Sequence, residues 1–228
     1  MGKRIKALRE KVSPEKTYTV EEACKLLVET KSAKFDESVE IAINLGVDPK
    51  KADQNVRGSV SLPHGLGKKI RVAVFAKGDK AKEAEAAGAD FVGSDELVAK
   101  IQGGFLDFDS IVATPDMMGA VGRVGKLLGP RGLMPSPKLG TVTFEVGETV
   151  KSLKAGRAEY RVEKAGIVQA SIGKVSFGPQ KIAENLQAMM QAIVKAKPST
   201  SKGVYLKNAC VSLTMGPGIK LDLGAYRS

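Results

Sequence analysis

An α/β protein of two domains is what the sequence predicts: an α+β domain built from both chain termini, residues 1–66 and 157–228, with a Rossmann-like three-layer α/β/α domain, residues 67–156, inserted between them. Three observations predict it. Apolar and polar residues alternate with period two near both ends of the chain but not in its middle. In the middle, short and nearly continuous apolar runs alternate with helical patterns, the rhythm of a parallel sheet covered on both faces. A break rich in glycine and charge, His64-Gly65-Leu66-Gly67-Lys68-Lys69, separates the two patterns.

The first domain begins with a basic stretch, after which Thr19 and Glu22 have the spacing of a capping box, so a helix should run to about Lys31. Val39, Ile41, Ile43 and Leu45 then alternate with Glu40, Ala42 and Asn44 as in a half-buried strand, and Val56, Val60 and Leu62 continue that spacing across Gly58. In the insert, Ile70–Phe75, Ala89–Val92 and Ser110–Thr114 read as strands. Lys80–Ala87 reads as a helix ended by Gly88, Ser94 as the cap of the next helix, and Pro115 as the start of another. A short helix is expected around Val150. Beyond it, Tyr160 and Val162 lead into the turn Lys164-Ala165-Gly166 and Val168 leads out, which predicts a hairpin. Pro179 opens the clearest helix, with Ile182, Leu186, Met189, Met190, Ile193 and Val194 on one face and Lys197-Pro198 at its end. A final strand from Val204 to Met215 runs into a turn through Thr214-Met215-Gly216-Pro217-Gly218.

The 228 residues are 43% hydrophobic and 27% charged, the composition of an ordinary globular protein. No apolar run reaches the length of a membrane span, so no membrane is expected as a partner. Cys24 and Cys210 are far apart and belong to no Cys-x-x-Cys pair, so they read as small buried hydrophobes in a reducing compartment, and no metal site is expected. The formal net charge is +11. Residues 1–66 carry 12 basic and 10 acidic side chains, residues 67–156 carry 13 and 11, and residues 157–228 carry 11 and 4. The outer domain thus holds an excess of +9 against +2 for the insert. Clustered positive charge attracts polyphosphate backbones through counterion release, which puts a nucleic-acid face on the outer domain; generic solubility charge is the competing explanation. Aromatics are only 5% of the chain with no Trp, which disfavours a surface of stacked rings.

Catalytic and cofactor motifs are missing. Ala76-Lys77-Gly78-Asp79 follows the first strand of the insert without the G-x-G-x-x-G that lets a backbone approach a pyrophosphate. Gly119, Gly122, Gly125 and Gly129 lack P-loop spacing, and Lys126 is followed by Leu127; they are expected to let a helix pack closely or bend. His64 is the only histidine and lies in a loop, so no catalytic residue is assigned and no cofactor is expected. A nucleotide-dependent enzyme using the parallel sheet is the alternative from another class, and a protein-interaction module is a third reading.

Several long strings resemble the large-subunit ribosomal protein L-one family in its bacterial form: MGAVGRVGKLLGPRGLMP at 118–135, KFDES at 34–38, DQNVRGSVSLPHGLG at 53–67, Gly88-Ala89-Asp90, Ala113-Thr114-Pro115-Asp116 and Thr214-Met215-Gly216-Pro217. The resemblance covers essentially the whole chain. It implies a non-enzymatic protein of the cytoplasmic ribosome, monomeric when free, whose terminal domain binds large-subunit rRNA to form the mobile stalk near the tRNA exit site. It further implies repression of its own operon by binding an mRNA site that mimics the rRNA, and it raises tRNA at the exit site as a further partner. By the same resemblance the RNA contact falls on Lys34, Phe35, Asp36, Glu37, Gly173, Lys174, Thr214, Met215 and Gly216. In such a contact the Thr214 hydroxyl and the Gly216 backbone would bond sugar edges, Phe35 and Met215 would pack on ribose or bases, and Lys34 and Lys174 would meet phosphates. From the residues alone, Phe35 and Met215 read as core. Where the family pattern has His-Ala-Pro before Ile-Gly-Lys, this chain has Gln169-Ala170-Ser171 before Ile172-Gly173-Lys174, so Gln169 and Ser171 are not carried over.

Overall fold

A computed structural model describes residues 3–226. In chain order the elements are α1 (Lys3–Glu10), α2 (Val20–Glu29), β1 (Ser38–Leu45), β2 (Arg57–Ser61), β3 (Val72–Phe75), α3 (Asp79–Ala86), β4 (Phe91–Gly93), α4 (Asp95–Gln102) and β5 (Ser110–Ala113). They continue with α5 (Met118–Arg123), α6 (Gly125–Leu128), α7 (Val146–Lys154), β6 (Arg157–Arg161), β7 (Ile167–Lys174), α8 (Gly178–Lys195), β8 (Leu206–Leu213) and β9 (Ile219–Lys220). The chain divides into an outer unit, residues up to Gly67 together with Ala158 onward, and an inserted unit, Lys68–Arg157.

The outer unit is a four-stranded sheet in the order β7-β1-β8-β9, with α2 and α8 on one face. β1 pairs antiparallel with β7 on one side and β8 on the other. The period-two pattern explains the layering. Val39, Ile41, Ile43 and Leu45 are buried beneath the helices beside Val168, Ile172, Val211 and Leu213, while Glu40, Ala42 and Asn44 point to the open face. The α8 stripe of Ile182, Leu186, Met189, Met190 and Ile193 is fully buried, and Val194 only partly.

The capping box that opens α2 is present, with Thr19 Oγ1 accepting from the Glu22 N–H and Glu22 Oε2 from the Thr19 N–H. The hairpin expected around Gly166 is corrected. Its turn forms, closed by Gly166 N–H donating to Glu163 O, but the strands share a single bridge at Val162 and Val168. β6 pairs instead with β2 in a separate two-stranded sheet and β7 pairs with β1, while Tyr160 and Val168 are buried in one shared core. Two short elements carried too little pattern to predict, the basic helix α1 and the edge strand β9.

In the inserted unit β3 lies between β4 and β5, parallel to both. Val72, Val74 and Val112 face α3 and α7, whereas Ala73, Phe75, Ile111 and Ala113 face the layer that holds Leu97, Ile101, Val121 and Leu128. That two-sided burial is the three-layer arrangement, and it is why these strands read as continuous apolar runs. Gly88 adopts φ +89 just past α3. Ser94 stands at the start of α4 without its hydroxyl bonding the helix, so it is not the side-chain cap the sequence suggested. The glycine expectation is half corrected. The helix does break between α5 and α6, but a Cβ on Gly119 or Gly122 would meet nothing within 4 Å, so close packing is not their reason.

Buried Asn185 of α8 holds the loop that leaves the outer unit. Its Oδ1 accepts from the His64 N–H at 3.0 Å, and its Nδ2 donates to Gly65 O at 3.0 Å and to Ile172 O at 2.8 Å. Truncation strands three backbone groups in a buried place, where each loss costs about 1–3 kcal/mol. Asn185→Ala should therefore destabilise the outer unit by about 3 kcal/mol or more, seen as a lower urea midpoint with an unchanged m-value; an unchanged midpoint would show that the clamp carries no stability.

Candidate nucleic-acid interface

Because β1 runs antiparallel to both neighbours, its first residue lies beside their last ones. Ser38 is opposite Lys174, and Val39 is opposite both Gly173 and Leu213. Segments 173–176 and 214–216, both more than a hundred residues from 34–37 in sequence, therefore emerge with it at one end of the sheet. All nine site residues carried over from the family resemblance lie in this cluster.

Glu37 ties the segments together. Its side chain is buried; Oε1 accepts from the Ser32 N–H at 3.2 Å and the Ala33 N–H at 3.0 Å, and Oε2 accepts from the Met215 N–H at 2.9 Å. Burial pushes the carboxyl pKa up, but the Ala33, Met215 and Ser32 N–H groups and the Arg4 charge outweigh it, so the pKa falls below its ordinary value. Glu37 thus shapes the 32–36 and 214–216 loops from within. Asp36 is exposed and binds Ser176, accepting from its N–H at 3.1 Å and from its Oγ at 2.7 Å. The Ser176 hydroxyl, with smaller help from Lys174 and Lys31, outweighs desolvation and holds the Asp36 pKa below the usual range.

Thr214 is exposed, but its hydroxyl is already engaged: Oγ1 accepts from the Ser38 N–H at 3.1 Å and donates to Ser38 O at 3.4 Å. Lys174 is half-buried, with Nζ donating to Ser38 Oγ at 2.8 Å and Asp36 O at 3.5 Å. Gly173 has φ +153, and a Cβ there would lie 3.0 Å from the Phe177 ring, so only glycine fits this strand end without displacing that ring. The Gly216 N–H closes the turn onto Leu213 O at 3.0 Å. Lys34 is exposed and outside every ion pair among the described residues.

Phe35 is 53% exposed and Met215 46%, which removes the core reading of both. Both are large apolar side chains held in water beside the hydrogen-bonded loops. Gln169 and Ser171 lie on the open sheet face opposite Ala42 and Glu40, outside the loop cluster. Sequence reasoning missed Arg4, whose guanidinium donates to Met215 O at 3.2 Å and to Ser32 Oγ. This places α1, with exposed Lys3, Arg4, Lys6 and Arg9, beside the cluster. The signal was available in the run of basic residues around buried Leu8.

The other expectations on chemistry are simply placed. Cys24 is buried, its thiol pushed up to about 12 by desolvation, while Cys210 is only partly buried and likewise raised by burial. His64 Nε2 faces Glu184 Oε2. Among the described residues, no group of three His, Cys, Asp or Glu side chains is placed to share a metal ion. Among the described residues, no helix is long and apolar enough to cross a membrane.

A carboxylate whose folded pKa is depressed stabilises the fold above its unfolded pKa, here ordinarily 4.5, and that stability is lost as pH falls through the folded value. Glu37→Gln cannot accept at both ends, because its amide nitrogen faces an N–H donor. The variant should melt earlier than the parent at pH 7, and the gap should shrink as pH falls below about 4.5. Melts over pH 3–7 check this, and a pH-independent gap would remove the carboxylate charge from the account.

The comparisons bear on both units at once. Residues 27–217 match the sequence profile of the "Ribosomal protein L1p/L10e family". "Large ribosomal subunit protein uL1" of Bdellovibrio bacteriovorus is 60% identical over 224 residues, covering 98% of this chain and 96% of that protein. A match of this extent takes in every segment of the loop cluster and the inserted parallel sheet alike, and it sets aside the enzyme reading: the chain belongs to the ribosomal protein L1p/L10e family, whose members are structural proteins of the ribosome.

Proposed function

We propose that the outer unit grips large-subunit rRNA through the loop cluster at the end of its sheet, forming the mobile stalk near the tRNA exit site, and that the same surface binds an mRNA site of the protein's own operon and represses its translation. The observation that carries the reading is the pair Phe35 and Met215, exposed and held on a hydrogen-bonded scaffold by Glu37, Thr214 and Lys174. Charge supports it. With Arg157 counted in the insert, as the structure divides the chain, the outer unit keeps an excess of +8 against +3.

In this reading Phe35 and Met215 pack on sugar or base faces, and Lys34 meets phosphate along with Lys174, which can swing from Ser38. Glu37, Asp36, Thr214 and Gly173 set the shape of the surface. The exposed backbone around Gly216 offers polar groups to 2′-hydroxyls, the feature that separates RNA from DNA. An mRNA that presents the same bent shape meets the same contacts, which is the physical basis of repression.

Phe35→Ala and Met215→Ala should each weaken binding of a large-subunit rRNA fragment by about tenfold or more, since a lost stacking contact costs roughly 1–3 kcal/mol. Their melting points should stay near the parent because neither side chain fills a core. Lys174→Ala should instead lower the slope of log affinity against log salt by about one unit. A variant that melts early yet binds normally would return that residue to a structural role. Joining residues 1–66 to 157–228 by a short linker should keep most of the affinity, and a folded but inert product would move the RNA site to the insert.

A further inference from the structure

Sulfur is the readily oxidised atom of protein side chains, and attack on it follows its exposure. Among the described methionines, Met117, Met189 and Met190 are buried, and Met118 and Met134 are packed, partly buried, against the core of the inserted unit. Met215 alone of them is exposed, at 46%. The thiols are shielded in two ways. Cys24 is buried, and Cys210 lies partly buried under the backbone of Gly218, where an added Cβ would stand 2.8 Å from its Sγ. A thiol must also ionise before it attacks, and burial raises the pKa of both, that of Cys24 to about 12. A thioether needs no ionisation.

Met215 is also held where an oxidant meets it. Its N–H donates to Glu37 Oε2 at 2.9 Å, and its carbonyl accepts from the Arg4 guanidinium at 3.2 Å. The next N–H, that of Gly216, closes the turn onto Leu213 O at 3.0 Å. With the backbone bonded on both sides, rotation of the turn cannot carry the side chain into the core. The brace that would present Met215 to a partner therefore presents its sulfur to solvent whenever the partner is absent.

We propose that the Met215 thioether is a modification site that peroxide oxidises to the sulfoxide, and that this one added oxygen switches off RNA binding by the free protein. The inference rests on the RNA contact argued under Proposed function. In the step, a sulfur lone pair takes one oxygen of hydrogen peroxide. The S–O bond forms, the O–O bond breaks and sulfur gives up two electrons; the proton of the transferred hydroxyl goes to the departing oxygen, which leaves as water. A flexible apolar side chain becomes polar and chiral. Packed on a ribose or a base, the new oxygen would lose its water without a fixed donor in exchange, which is the costly way to bury a polar group. RNA bound beforehand covers the sulfur. Protein already on its RNA is therefore spared, and the free pool is silenced.

The test treats the full chain with hydrogen peroxide, removes the excess, maps the added oxygen by peptide mass and measures binding of a large-subunit rRNA fragment. Oxygen should reach Met215 before Met118, Met134 or Cys210, and affinity should fall at least tenfold as that peptide converts. Methionine sulfoxide reductase with a dithiol, which removes the oxygen as water, should restore it. Met215→Leu, whatever its starting affinity, should keep that affinity through the same treatment. In the preformed complex with the fragment, Met215 should stay unoxidised. Prior oxidation of Met118, Met134 or Cys210 would overturn the proposal, as would equal peroxide losses in parent and Met215→Leu, or equal oxidation with and without RNA. Phe35→Ala, read without peroxide, tests the RNA contact separately. If it weakens binding while the Met215 sulfoxide binds like the parent, the switch fails and the contact stands; if Phe35→Ala and the sulfoxide both bind like the parent, the contact fails as well.

Discussion

The loop cluster at the end of the outer sheet depends on one buried carboxylate. Glu37 collects N–H groups from Ser32, Ala33 and Met215, which belong to loops nearly two hundred residues apart in the chain. A neutral side chain could not accept from all three, and an exposed carboxylate would bond water instead. Around it the Thr214 hydroxyl fastens the end of β8 to Ser38, and Asp36 fastens the start of β1 to Ser176. With these side chains bonded inward, Phe35 and Met215 are left facing solvent on a preshaped base. Preorganisation of this kind lowers the ordering cost of binding, which matters for a surface with few aromatic side chains.

The two units divide the physical work. The outer one closes a sheet between two helices on one side and water on the other, so its loops and open face are left exposed. The inserted one buries its strands on both faces and leaves only helix surfaces and strand-end loops exposed. Its parallel sheet invites a nucleotide site at the strand ends. The loop after β3 nevertheless leads into α3 through Gly78 and Asp79, with no further glycine and an acidic side chain where phosphate would sit. Fold and function part company here, as they do in many doubly wound domains.

Much of the architecture was legible because burial writes a period into the sequence. β1 showed its alternation, β3 and β5 their unbroken apolar runs, and α8 its stripe of Ile182, Leu186, Met189 and Met190. Strand partners were less legible: Tyr160 and Val168 flank a good turn, and local pattern alone cannot say that their strands join different sheets. Asn185 looked like any polar residue on a helix, because its value lies in three backbone partners that sequence does not reveal. The site was visible only through resemblance. Phe35 and Met215 read as core until their exposure was known, and the roles of Glu37 and Thr214 as internal braces follow from distances, not composition.

Nucleotide-resolution protection and crosslinking of large-subunit rRNA by the full chain tests the central claim most directly. The account predicts one bounded protected segment whose strongest crosslinks fall on residues 34–36 and 214–216. Protection spread evenly along the RNA, or crosslinks confined to the strand ends of the inserted sheet, would contradict it.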